Sequence, residues 1–330
     1  MGSANRTIDA DAYIDVVILA DFATLRQPSP ASGKFRFLTS AAHDPDSQYR
    51  PLITSTSETI RHFLGDLGFA ICHLDDCVTG TMTVTPDLCL PGSDHVRSGV
   101  LCTLADVVAG RLAASRTAPR LSVTVDLSCV VLRAPPTDRI FAESRVLKEG
   151  RTTIVTETRY HAFTGPLNDA RPAGPPFAIS LGTFLASSRP SDLLPTTKTA
   201  MIPIAGSGVP ALEMPILDRI GCVERSPGVL EVSPTSEVAN SAGHLQGGAV
   251  TLLAEGAAQS AADALTGRRC VVWDLDIRFL RALRTGPVRT SAEPLGADAS
   301  GETSWRVELR DLGEADRLGT VAIARCRPSS

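Results

Sequence analysis

The sequence predicts an α+β fold made twice in tandem, each copy an antiparallel sheet wrapped round one long apolar helix. Three observations predict it. The chain repeats itself at an offset of about 148 residues, and each copy strings several strand-like stretches together with no helix between them. Each copy also holds one apolar run of helix length, broken by a single acid. A fixed-period repeat means one structural unit used again. Strands that succeed one another without a crossover helix pair antiparallel, and a single apolar helix has to be enclosed by its sheet.

Residues 1–57 match nothing later in the chain; "YIDVVILADF" and "KFRFLT" have strand character, and the segment is left as an unassigned extension. The first unit, 58–187, opens with "FLGDLGFAICHLDDCVTGTMTVTPDLCLPG", which reads as a helical turn, two strands and a polar loop. The long helix follows in "HVRSGVLCTLADVVAG". "LSVTVDLSCVVL", "DRIFAESRVLKEG" and "TTIVTETRYHA" alternate, are rich in β-branched residues and end in Pro or Gly turns, as strands do. "GPLNDARPAGPP", 165–176, reads as a loop, and "FAISLGTFLAS" as the last strand of the unit. Residues 188–210, rich in Pro, Ser and Thr, read as a linker.

The second unit, 211–330, repeats this order. Its helix lies in "GHLQGGAVTLLAEGAAQ", starting after the Gly pair and stopping at Gly267. Gly99 aligns with Gly248, Leu104 with Leu253 and Asp106 with Glu255; downstream, Asp126 aligns with Asp274 and Arg133 with Arg281. Asp126 and Asp274 read as turn or sheet-edge acids at the start of a strand, and Arg133 and Arg281 as partners of acids at the sheet end.

Bulk properties exclude several functions. With 43% hydrophobic and 21% charged residues, the chain balances as a soluble globular protein, and 330 residues suit two domains. A net charge of −4 with scattered basic residues gives no footprint for nucleic acid. The eight cysteines form no Cys-x-x-Cys and have no His at ligand spacing, so they read as reduced core residues and not as a metal site. "VVILA" is too short for a membrane span or a secretory signal, which makes the cytoplasm the expected location. No Gly-x-Ser-x-Gly occurs, which excludes a nucleophile elbow, and Pro210 with its linker context argues against a dinucleotide loop in "AGSGVPA".

Spacing around the helix starts carries the chemistry. In the second unit Asn240 precedes Gln246-Gly247-Gly248 by six residues, and Glu255 follows Gln246 by nine; in the first unit Pro91, Arg97-Ser98-Gly99 and Asp106 hold the same spacing. This pattern resembles the hotdog-fold acyl-CoA thioesterases, in particular the phenylacetate-pathway type, here fused as a tandem double hotdog. In that family an Asn precedes His-Gly-Gly, and an Asp follows the His at the same interval; Gln246 stands in the place of the His. "DLSCVVLRAPPTDRIFAESRVLKEGR" is similar to the family's downstream stretch.

The resemblance implies two antiparallel helices, so that the loop of one unit meets the acid of the other. One site then takes Asn240, Gln246 and the Gly247 amide with Asp106 as catalytic groups; the second takes Arg97 and Ser98 with Glu255. Gly248, Gly99 and His244 are the implied substrate contacts. The first backbone amides of a helix lack internal partners and carry partial positive charge, so Gly247 or Ser98 could hold an oxyanion. An apolar helix would raise the carboxyl pKa toward neutrality, suiting a base or nucleophile. Ser98 adds a Cβ, and Pro91 and Arg97 replace the family's Asn and His, so the first site is expected to be the catalytic one.

The implied substrate is an acyl-CoA or acyl-carrier-protein thioester, with coenzyme A entering only as part of the substrate and no other cofactor or metal. Neither nucleic acid nor membrane is an expected partner; one chain supplies a pseudo-dimer, and a homodimer could form from it. A second reading of Arg133 and Arg281 is a grip on a CoA phosphate. Two rivals are a hotdog dehydratase and a non-catalytic acyl-thioester-binding protein. "AEGAAQSAA" resembles the dehydratase helix, but Ser241 stands where those enzymes carry a catalytic His about fourteen residues before the Glu.

Overall fold

A computed structural model describes residues 62–134, 138–164, 170–190, 210–240 and 242–329. The extension 1–57 and nearly all of the 188–210 linker lie outside the described residues. In the first half, α1 (Phe63–Asp66), β1 (Ala70–His73) and β2 (Cys77–Thr83) lead to α2 (Ser98–Thr117). Four strands follow: β3 (Arg120–Val131), β4 (Arg139–Glu149), β5 (Thr153–Thr164) and β6 (Arg171–Pro190). The second half repeats the order with α3 (Ile216–Arg219), β7 (Val223–Ser226), β8 (Val229–Val232) and α4 (Gly247–Thr266). It closes with β9 (Cys270–Phe279), β10 (Val288–Ala297), β11 (Thr303–Asp311) and β12 (Arg317–Pro328).

The expected two sheets are one. All twelve strands form a continuous antiparallel sheet in the order β1-β2-β4-β5-β6-β3-β9-β12-β11-β10-β8-β7. The join is β3 against β9, with Ser128 opposite Asp276, Asp126 opposite Arg278 and Val130 opposite Asp274. That pairing satisfies the backbone groups of two strands that would otherwise be exposed edges. It also corrects the reading of Asp126 and Asp274, which lie inside the central strands; Asp274 pairs with Arg325 at 2.5 Å. Arg133 donates to the Pro175 carbonyl and pairs with no acid among the described residues.

The expected loop over 165–176 is also corrected from Arg171 onward, where β6 is already a strand paired with β5. Its prolines are tolerated there because β3 joins β6 only from Ala178 on, which leaves the Pro172–Pro176 stretch as a free edge.

Both helices are twenty residues of mostly small and branched apolar side chains. Pro119 cannot continue α2, and α4 stops at Gly267 in the left-handed region, φ 65°. By length and composition α2 could cross a membrane; here it is buried in the sheet. The two helices cross near their N-termini. A Cβ on Gly99 would lie 3.0 Å from the Leu252 Cα, and one on Gly248 would collide with the Thr103 side chain. Thr251 Oγ1 lies 2.8 Å from the Gly248 carbonyl of its own helix and 3.0 Å from the Gly99 carbonyl of the other. Absent side chains therefore bring the helix backbones together, and buried residues of both halves merge into one core.

Candidate functional site

The crossing carries each helix N-terminus onto the early turns of the other helix, where the acids sit. In α2, Arg97 is the N-cap and makes no side-chain bond to the helix; its Nη1 instead donates to Glu255 Oε2 on α4 at 2.9 Å. Both side chains are buried, at 5% and 1% exposure. Burial pushes the Glu255 carboxyl above its ordinary range, and the Arg97 guanidinium pulls it part of the way back. Here the carboxylate of one half and the N-cap side chain of the other are in direct contact.

At the related position in α4, the N-cap is Gln246, whose Oε1 accepts the Gly248 N–H at 2.5 Å. That leaves the Gly247 N–H as a first-turn donor without an intrahelical acceptor. The loop ahead of it is braced by Asn240, whose Oδ1 accepts the N–H groups of Ala242 at 3.0 Å and His244 at 3.1 Å. His244 lies within this loop, and its main chain closes it with Asn240 N–H donating to the His244 carbonyl. Gly248 and Gly99 lie at the helix crossing, and the close approach they permit is to the opposite helix.

Asp106 is fully buried. Thr124 Oγ1, on β3 of its own half, donates to Asp106 Oδ1 at 3.0 Å. The acid is therefore held partly by its own sheet, a contact that the sequence reading missed. Burial raises its pKa from 3.8 to about 7, and the Thr124 hydroxyl resists that rise. Among the described residues Asp106 Oδ2 has no partner, and neither have Gln246 Nε2 and Asn240 Nδ2, all three buried. At the start of α4 Gly248 packs on Thr103, one turn before Asp106, but the Gln246 side chain differs from Arg97: it turns back to cap its own helix, whereas Arg97 reaches across.

Around Glu255 the corresponding places differ. Pro91 replaces Asn240 and presents only its carbonyl, taken by Arg269 Nη1 at 2.8 Å. β3 and β9 carry a register shift at the same place, so Val272 stands where Thr124 does. Ser98, first residue of α2, keeps a buried hydroxyl without a partner among the described residues. No cluster of three metal-binding side chains occurs among the described residues.

Residues 94–167, which hold α2 to β5, match the model of the Thioesterase superfamily. Solved structures with the same architecture include the tesB protein of Mycobacterium avium subsp. paratuberculosis, 13% identical, with a TM-score of 0.50 over 77% of this chain and 93% of that one. Another is the 12:0-ACP thioesterase of Umbellularia californica, 9% identical, TM-score 0.51, over 77% and 94%. At such identities the likeness shows the fold, which is the hotdog fold. No curated protein matches the chain in sequence.

Proposed function

We propose that this chain is a double-hotdog thioester hydrolase with one working site, built from Asp106 and Thr124 of the first half and Asn240, Gln246 and the Gly247 amide of the second. The observation that carries the reading is that three buried polar atoms without partners among the described residues, Asp106 Oδ2, Gln246 Nε2 and Asn240 Nδ2, belong to the residues that the repeat assigns to one site. Orphaned buried groups cost about 1–3 kcal/mol each and call for a role. The thioesterase match over residues 94–167 supports the same reaction class.

In this mechanism Asp106 Oδ2, as carboxylate, takes a proton from water while the water oxygen attacks the thioester carbon. The carbonyl oxygen becomes an oxyanion and accepts the Gly247 N–H, with the amide groups of Gln246 and Asn240 as further donors. Collapse reforms the carbonyl and breaks the C–S bond; the thiolate takes the proton back from Asp106, releasing free thiol and carboxylic acid. Direct attack by the carboxylate, through an anhydride that water then opens, uses the same groups. A carboxyl poised near neutrality suits either role. The substrate class is an acyl-CoA or acyl-carrier-protein thioester, with no metal or further cofactor.

The test is release of free thiol from a panel of acyl-CoA thioesters by the wild type and by Asp106→Asn. Release by the wild type that the substitution abolishes supports hydrolysis at this site. Acyl-CoA binding without release by the wild type would replace the reading with a non-catalytic binding protein.

A further inference from the structure

His62 precedes α1 in the first half, yet its side chain reaches across to the loop of the second half that carries Asn240. Its Nδ1 accepts the Leu64 N–H at 3.2 Å, which fixes the tautomer: the ring proton sits on Nε2 and is donated to the Ala239 carbonyl at 3.0 Å. Phe63 N–H adds a second cross-half bond, to the Glu237 carbonyl at 3.0 Å. Ala239 is adjacent to Asn240 and is bridged to Leu245, next to Gln246. The imidazole therefore grips the loop between the two side chains of the site that lack amide partners.

The other half has no such device. There Pro215 is the residue before α3, with no side-chain cap, and a proline has no side-chain donor to offer the Pro91 loop. The imidazole is present only where the site keeps its polar set.

We propose that His62 is a positioning residue, a cross-half tether that fixes the 239–246 loop so that Asn240, Gln246 and the Gly247 amide converge on the acid of the other half. This rests on the hydrolase reading above for its effect on rate, but not for its effect on the loop. The tether needs a neutral ring, because a proton on Nδ1 would turn the acceptor of the Leu64 N–H into a donor. Burial keeps the ring below the usual histidine range; of the charges facing it, Arg219 acts in the same direction, while the Ala239 hydrogen bond, Asp66 and Glu237 oppose it.

Two substitutions separate the functions of the ring. His62→Asn keeps an acceptor for the Leu64 N–H and withdraws the donor to Ala239; His62→Gln reaches toward Ala239 with an amide donor. The expected result for His62→Asn is a loss of about tenfold in kcat with KM within about twofold of wild type, since displacing positioned groups costs rate more than binding. Amide hydrogen exchange at Ala242, His244 and Gln246 should quicken in the same variant, and His62→Gln should restore both readouts. Wild-type kcat or wild-type exchange in a folded His62→Asn would overturn the proposal, as would a His62→Gln that restores neither. If the Asn variant does not fold, the Gln variant alone decides by the same two readouts. Should the wild type release no thiol from any thioester, the hydrolase reading fails and the exchange measurement still decides whether His62 holds the loop.

Discussion

The two junctions where a helix N-terminus meets the acid of the other half share a backbone and differ in what they leave unpaired. Thr124 takes one oxygen of Asp106, and the second oxygen, like the amide nitrogens of Gln246 and Asn240 at the start of α4, has no partner among the described residues. Around Glu255, Arg97 takes the carboxylate in a buried ion pair, Val272 offers nothing, and Pro91 has no side-chain donor. One acid keeps an oxygen without a partner among the described residues; the other has its charge paired within the protein. The two halves thus share the backbone arrangement and differ in the side chains placed on it. An ion pair of this kind suits a general base poorly, because a carboxylate bound to a guanidinium is a weak base.

The largest difference between the junctions should appear in rate. Asp106→Asn is expected to lower kcat about a thousandfold, the range for losing a positioned general base. Glu255→Gln should leave kcat close to wild type at temperatures where that variant is folded. Equal losses from both substitutions, read as thiol release, would dissolve the distinction. The same Asp106 variant separates stability from activity along the pH axis. Asp106 has a folded pKa of about 7 against an ordinary 3.8, so the unfolded chain ionises first as pH rises. Below about pH 4 the group is protonated in both states and costs nothing. Between there and pH 7 the folded state loses stability progressively, and above pH 7 the whole penalty is present. Denaturant titrations at pH 5 and pH 8 should show Asp106→Asn gaining on wild type at the higher pH, while wild-type turnover rises through about pH 7.

The next effect is on stability at the closed junction. Arg97→Ala strands Glu255 as a buried carboxyl without its partner and should cost about 3 kcal/mol in urea unfolding. Arg97→Met with Glu255→Leu removes both charges and should recover most of that loss, since a buried pair contributes little beyond an apolar pair of similar volume. A single substitution with no cost would show that the ion pair is not formed in solution. Gly248→Ala comes next, at about 2 kcal/mol, because its Cβ has to displace Thr103 at the helix crossing. It should also lower kcat by parting the loop from Asp106, which a purely structural glycine far from the site would not do.

Much of this comparison was legible in the sequence. The spacing of Asp106 and Glu255 behind their loops located both helices, and the helix crossing gives the contact of Arg97 with Glu255 across the halves. The repeat was readable because backbone geometry constrains glycines and acids at fixed intervals. The single sheet was not: whether two copies join edge to edge depends on β3 meeting β9, and no residue in either strand records a partner 148 positions away. Nor was Thr124, one of several threonines in an alternating strand, distinguishable until the fold set it beside Asp106. His62 carried no signal for the same reason, since its partner is a backbone carbonyl 177 residues distant. The strand character of Arg171–Pro176 was hidden by prolines, which mark loops until an unpaired edge makes room for them.

The smallest predicted effect tests the finest difference between the junctions, Thr124 against Val272. Thr124→Val keeps the shape and removes the hydroxyl that donates to Asp106 Oδ1. That hydrogen bond favours the ionised carboxyl, so its loss raises an already raised pKa, by about one unit. The acid limb of the pH–rate profile should move upward by that amount, leaving kcat near pH 7 several-fold lower and kcat above pH 9 nearly unchanged. The converse change, Val272→Thr, should do nothing to the rate, because Glu255 is held by Arg97 whether or not a hydroxyl is near. A Thr124→Val profile with an unmoved midpoint and a uniformly lower plateau would mean that the hydroxyl touches the substrate or the attacking water, and that the difference between the junctions lies in contacts and not in the ionisation of the acid.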